Sequence, residues 1–144
     1  MAPRRKTRSG YWLRVPEEAY QAADTPAGHY SNITAYFRHE FNASRPDNLK
    51  LKISANSRYR LWVNGHPVTS GPCKGDQWRQ YYDIIDVSQY LKSGFNCIGI
   101  KVIAYPAYAS ETEINTAPLS VMTNGAGPCL MVEGTCRAKK GKAL

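Results

Sequence analysis

The side chains able to do chemistry in this 144-residue chain are few and scattered. Five carboxylates come into question for acid–base work: Asp76, Asp83, Asp86, Glu111 and Glu113. Such work needs two titratable groups held close together in environments that push their pKa values apart. Asp86 precedes Val-Ser-Gln-Tyr-Leu, where its carboxylate would cap a single helical turn over 87–91. Asp83 lies three residues earlier, near a strand end. Both positions suit structure better than catalysis. The histidines (His29, His39, His66) and the cysteines (Cys73, Cys97, Cys129, Cys136) form no Cys-x-x-Cys pair and no mixed cluster. The spacing therefore supports no metal site and no cofactor. No Ser-His-Asp spacing and no phosphate loop is present. His39 falls among aromatics as a packed or hydrogen-bonded ring, and Cys97 falls in an apolar strand as a small buried hydrophobe. Cys129 and Cys136 fall on opposite faces of one strand, where they cannot bridge, so free thiols are expected.

These residues must be held by extended chain. In Arg58–Gly65 (RYRLWVNG), Tyr59, Leu61 and Val63 share one face and Arg58, Arg60 and Trp62 the other. Asn64-Gly65 supplies the two positive-φ residues of a type I′ turn, which makes the segment a hairpin with His66-Pro67-Val68. Ile33–Asn42 reads as a strand with Ala35, Phe37, His39 and Phe41 on one face. Arg45-Pro46-Asp47-Asn48 reads as a turn. In Leu49–Ala55, Leu49, Leu51 and Ile53 alternate inward against Lys50, Lys52 and Ser54, and the lysines suggest an outer strand that resists edge pairing. Gln80–Ile85 is a strand, Gly94 supplies the left-handed residue after the 87–91 turn, and Asn96–Tyr105 is a long strand. Pro106–Pro118 is a loop, and Leu119–Met122 and Cys129–Arg137 are the last strands. Tyr11–Val15 is an edge strand or clasp. This pattern predicts an all-β, antiparallel β-sandwich with jelly-roll topology over 10–137 and one short helical turn near 87–91. Residues 1–9 read as a disordered basic leader, and 138–144 as a basic tail that enters a last hairpin without completing it.

Hydrophobic residues make up 42% and charged residues 21% of the chain, enough apolar material for one globular core. No apolar run reaches the roughly 20 residues of a membrane span. The start of the chain lacks the apolar stretch of a signal peptide, so the expected location is cytoplasmic unless an export signal lies outside this sequence. The net charge is +8. Arg4, Arg5, Lys6 and Arg8 sit at one end and Arg137, Lys139, Lys140 and Lys142 at the other. Setting these eight aside leaves 11 basic residues against 11 acidic ones. With no basic stripe evident through the core strands, nucleic-acid binding by the two ends is the alternative function and not the preferred one.

Two segments carry a family likeness: SANSRYRLWVNGHPVTSGP and DQWRQYYDIIDVSQYLKSGFNCIGIKV. They resemble the N-terminal accessory domain of bacterial α-L-rhamnosidases. The pattern is matched by Tyr59, Arg60, Leu61, Val63, Asn64, Gly65, Val68, Gly71 and Pro72. It continues through Trp78, Tyr82, Asp83, Asp86, Ser88, Tyr90, Leu91, Gly94, Asn96 and Ile98. The likeness spans about 33–105 and more loosely 119–137. The half from Asp86 to Asn96 also resembles a sugar-binding domain of β-galactosidase-like enzymes.

The resemblance implies a galactose-binding-like jelly roll set ahead of an (α/α)-barrel catalytic domain. It makes Tyr59, Asn64, Gly65, Asp83, Asp86, Gly94 and Asn96 the structural motif. That barrel is absent from this sequence, which reads as a piece of a longer enzyme or a stand-alone relative. The expected function is a non-catalytic, carbohydrate-binding-like domain of a glycoside hydrolase. Its partners would be the catalytic barrel or a rhamnose-containing saccharide. Aromatic rings stack on sugar faces while polar groups fix hydroxyls. Trp78 with Asp76 and Arg79, and Trp62 on the outward face of its strand, are the candidate sugar-binding residues. Covering the ends of the sandwich or docking on a catalytic domain is the competing role for these tryptophans.

Overall fold

In the computed structural model the described residues are 12–16, 19, 33–44, 46–72, 81–105, 128–134 and 137–138. The strands are β1 (Trp12–Arg14), β2 (Ile33–Ala43), β3 (Pro46–Asn48), β4 (Lys50–Asn56) and β5 (Arg58–Val63). After them come β6 (His66–Gly71), β7 (Asp83–Asp86), β8 (Gly94–Ala104), β9 (Cys129–Gly134) and β10 (Arg137–Ala138). One 3₁₀ turn, Ser88–Tyr90, stands between β7 and β8. One four-stranded sheet has the order β1-β9-β4-β7 and the second β2-β8-β5-β6, while β10 and β3 form a separate pair. Every pairing is antiparallel. Without that small pair, the eight strands numbered along the chain run 1-8-3-6 in one sheet and 2-7-4-5 in the other. That is the double Greek-key order of a jelly roll. Among the described residues no helix is long and apolar enough to cross a membrane.

The core is the meeting of the two inner faces. Leu51, Ile53, Ala55 and Leu130 come from the first sheet, and Tyr59, Leu61, Val63, Ile98, Ile100 and Val102 from the second. The period-two alternation of β5 and β8 produces this directly, since every second side chain is buried. Fully burying a Leu or Ile stabilises by about 1.5–3 kcal/mol each. The hairpin between β5 and β6 turns on Asn64 (φ 50°) and Gly65 (φ 83°), both left-handed as the Asn-Gly pair requires.

Several local expectations are corrected. The predicted turn at Arg45–Asn48 contains β3, whose Pro46 and Asn48 pair with β10. β4 is not an outer strand: it lies between β9 and β7. Ser54, read as outward, is buried because its hydroxyl donates to the Tyr81 carbonyl (2.7 Å) under the chain leading into β7. The strand predicted over Gln80–Ile85 runs Asp83–Asp86, with Gln80 outside the described residues, and that over Asn96–Tyr105 runs Gly94–Ala104. The single strand predicted over Cys129–Arg137 ends at Gly134, and Cys136 lies outside the described residues. Cys97 is only half-buried, because it points to the outer face of β8. The helical turn is shorter than 87–91, and its capping position is Val87, which has no side-chain bond. Asp86, one residue earlier, does the satisfying: its Oδ1 accepts from the Ser88 N–H (3.0 Å) and the Ser88 hydroxyl (2.5 Å). The segments 106–118 and 119–122, and the basic runs at 1–9 and 139–144, lie outside the described residues.

Candidate functional site: the outer face of the second sheet

The motif residues assemble a frame. Asn64 and Asn96 meet beneath the hairpin. Asn96 Oδ1 accepts from Asn64 Nδ2 (2.9 Å) and Lys92 N (3.0 Å), and its Nδ2 donates to the carbonyls of Lys92 (2.7 Å) and Gly94 (2.9 Å). Asn64 Nδ2 also donates to Tyr90 O (2.8 Å), and its Oδ1 accepts from Cys97 N (2.9 Å). The fully buried Asn96 amide is thus satisfied at all four positions. Gly94, with φ 89°, lets the chain bend around this pair into β8.

A second link joins the sheets. The Tyr59 hydroxyl on β5 donates to Asp83 Oδ2 on β7 (2.6 Å). Burial, then this hydrogen bond and the carboxylate's charge, push the Tyr59 phenol well above the usual tyrosine range. A Cβ on Gly71 would run into the Asp83 carboxylate and come within 2.8 Å of the Tyr59 ring, so only glycine fits there. Asp83 and Asp86, three apart on β7, face opposite sides of the strand. The hydrogen bonds from Ser88, hydroxyl first and backbone second, hold the Asp86 carboxyl below its usual range.

This frame presents the outer face of β2-β8-β5-β6. The register sets Tyr36 beside Lys101, Lys101 beside Arg60, and Arg60 beside Ser70, one residue from each strand in a single row. The flanking rows place Ile103 beside Arg58, and Gly99 between Arg38 and Trp62. A cleft of about 880 Å³ opens over this surface, reaching from Tyr36 and Lys101 past Arg60 and Trp62 to Pro72 and Asp83. That is the size of ordinary ligand clefts. The Arg60 guanidinium lies 5.9 Å from the Trp62 ring centroid, and the Lys101 ammonium 5.8 Å from the Tyr36 ring. Both are within cation–π range. Tyr36 is 77% exposed. Arg58 donates to the Pro72 carbonyl (3.0 Å), which holds its charge at the cleft rim.

Of the residues singled out from sequence, Trp62 stands in this cleft, on the face opposite Tyr59, Leu61 and Val63 as alternation predicted. Trp78, Asp76 and Arg79 lie outside the described residues, as do Glu111 and Glu113. His39 is exposed and stacks on Phe41 with ring centroids 5.7 Å apart. Tyr36, Arg58, Arg60 and Lys101 were missed as a group. The reading that no basic stripe crosses the strands is corrected: Arg38, Arg58, Arg60 and Lys101 share one face. Alternation already put Arg58, Arg60 and Trp62 together. What the sequence withheld was the pairing with β8, which brings Lys101 in from 41 residues away.

No family model and no curated protein matches the chain. Solved structures do. The chain is similar to the family GH78 rhamnosidase of Bacillus sp. GL1, with 26% identity and a TM-score of 0.56 over 75% of this chain. It is also similar to the α-L-rhamnosidase of Aspergillus terreus (22%, TM-score 0.60, 83% of this chain). A third is that of Streptomyces avermitilis, solved with L-rhamnose (19%, TM-score 0.54, 77% of this chain). The chain spans only 10%, 14% and 11% of those three enzymes, respectively. It therefore corresponds to one small part of enzymes of this kind.

Proposed function

We propose that the chain is a non-catalytic accessory domain of an α-L-rhamnosidase-type glycoside hydrolase, serving a catalytic (α/α)-barrel carried elsewhere. Its partner is that barrel or a rhamnose-containing saccharide. The observation that carries this reading is the coverage: three quarters of this chain matches one tenth of a rhamnosidase. The placement of the acids supports it. Glycosidases hold two carboxyl groups about 5–5.5 Å apart or about 6.5–9.5 Å apart across one sugar. Asp83 and Asp86 face opposite sides of β7, with Asp83 bonded to Tyr59 and Asp86 to Ser88.

The test has two arms. The purified chain is expected to give no turnover of p-nitrophenyl α-L-rhamnopyranoside, and turnover would overturn the non-catalytic reading. This chain is also exchanged for the matched segment of the Bacillus enzyme. A soluble hybrid that still hydrolyses the rhamnoside is the expected result. An insoluble hybrid, beside an intact parent enzyme, counts against the accessory role.

A further inference from the structure

We infer that the outer face of β2-β8-β5-β6 binds saccharides bearing carboxylate groups, with Tyr36 and Trp62 stacking on sugar rings and Arg58, Arg60 and Lys101 receiving the carboxylates. The inference rests on the accessory-domain reading for the choice of a saccharide as ligand. The choice of a negatively charged one rests on the sheet itself.

Arg60 and Lys101 are direct cross-strand neighbours. Like charges in that relation destabilise a sheet. Functional sites are among the places where folds carry such violations. Among the described residues no carboxylate forms an ion pair with Arg58, Arg60 or Lys101, while Arg38 is taken by Glu40. Arg58 holds the Pro72 carbonyl and Arg60 and Lys101 lie over the Trp62 and Tyr36 rings, so each is positioned while its charge is neutralised by no described carboxylate. Each ring carries a cation beside it, Arg60 at Trp62 and Lys101 at Tyr36. A ligand with its apolar sugar face on the ring would have its charged edge within reach of a guanidinium or ammonium. Guanidinium forks match carboxylates in two-point geometry. Trp62 is paired with Gly99, and nothing lies within 4 Å of the place where a side chain at Gly99 would begin. That leaves open floor beside the indole. The row from Tyr36 to Ser70 crosses four strands, about 14 Å at the usual strand spacing, so the ligand is a chain of sugars and not a single ring.

The experiment titrates the full chain with trigalacturonate, with its fully methyl-esterified form and with a short oligothymidylate. It follows tryptophan fluorescence and amide shifts. Trigalacturonate is expected to bind, with shifts on β2, β5 and β8, and its ester about tenfold or more weaker, the scale of one lost charge-assisted hydrogen bond. Arg60→Gln, at an exposed position, and Lys101→Gln, at a half-buried one on the same outer face, should each weaken binding about tenfold while the urea-unfolding midpoint stays that of the parent chain. Lys52→Gln, on the other sheet, should leave it unchanged. Equal binding of acid and ester, an equal loss in Lys52→Gln, or no binding at millimolar ligand overturns the inference. So does oligothymidylate outcompeting the uronate with the steep salt dependence of phosphate contacts. None of these outcomes touches the hybrid-enzyme assay, and failure of that assay leaves this binding result standing.

Discussion

The least replaceable side chain outside the apolar core is Asn96. Its buried amide holds a four-way, part-buried junction between the hairpin and the turn before β8. Asn96→Ala removes the partner of two donors and two acceptors at a part-buried junction and should cost about 1–3 kcal/mol. A urea-unfolding midpoint with unchanged slope checks this. Tyr59→Phe removes the hydroxyl that ties β5 to Asp83 and should cost about 1–2 kcal/mol. It should also change the response to alkali. The folded phenol ionises above its unfolded counterpart, whose pKa is about 10, so the native state keeps its proton when the unfolded chain loses it. Stability from this group is full below about pH 10 and falls as the pH climbs beyond it. In Tyr59→Phe that part of the alkaline loss should vanish from melting curves taken across the range. The asparagines were legible as motif positions, but their bonding was not: a partner 32 residues away is chosen by packing, which leaves no local trace.

At the scale of the element, the hairpin is the most legible feature. Asn64-Gly65 carries its own backbone requirement, and the structure meets it at both positions. Gly65→Ala should cost about 1–2 kcal/mol, because the φ of 83° penalises any Cβ even though nothing crowds it. A thermal melt of this variant separates backbone strain from sterics. β5 and β8 were equally legible, since one buried face imposes strict alternation. β4 was not. Its lysines looked like the guards of an edge, yet they sit mid-sheet, with Lys52 next to Glu133 of β9 at 3.5 Å. A lysine on a solvated face reads the same whether its strand is central or peripheral. β3 was lost to Pro46 and Asp47, both turn formers by local propensity, and pairing with β10 overrode them.

The jelly roll follows from strand count and turn spacing, but the functional surface does not. Charge counted along the chain put the excess at its two ends, whereas the fold gathers Arg38, Arg58, Arg60 and Lys101 on one side of the second sheet. Linear order carries no information about which strands become neighbours across about 40 residues, so the face emerges only with the register. The same argument explains the core. Leu61 and Ile100 are cross-strand partners, and the sequence could mark each as inward without joining them.

The passage from β4 to β5 has a last implication. Asn56 and Ser57 are wholly buried where the chain leaves one sheet for the other. The Ser57 amide donates to Ile103 O (3.0 Å), and its hydroxyl accepts from the Tyr105 amide (3.1 Å). The crossing is therefore fastened to the second layer at Ile103 and Tyr105. Amide protons at Ser57 and Tyr105 should exchange with deuterium only at the pace of complete unfolding, as slowly as those of Leu61 and Val102. The described strands of the two layers should therefore open together and not one layer at a time.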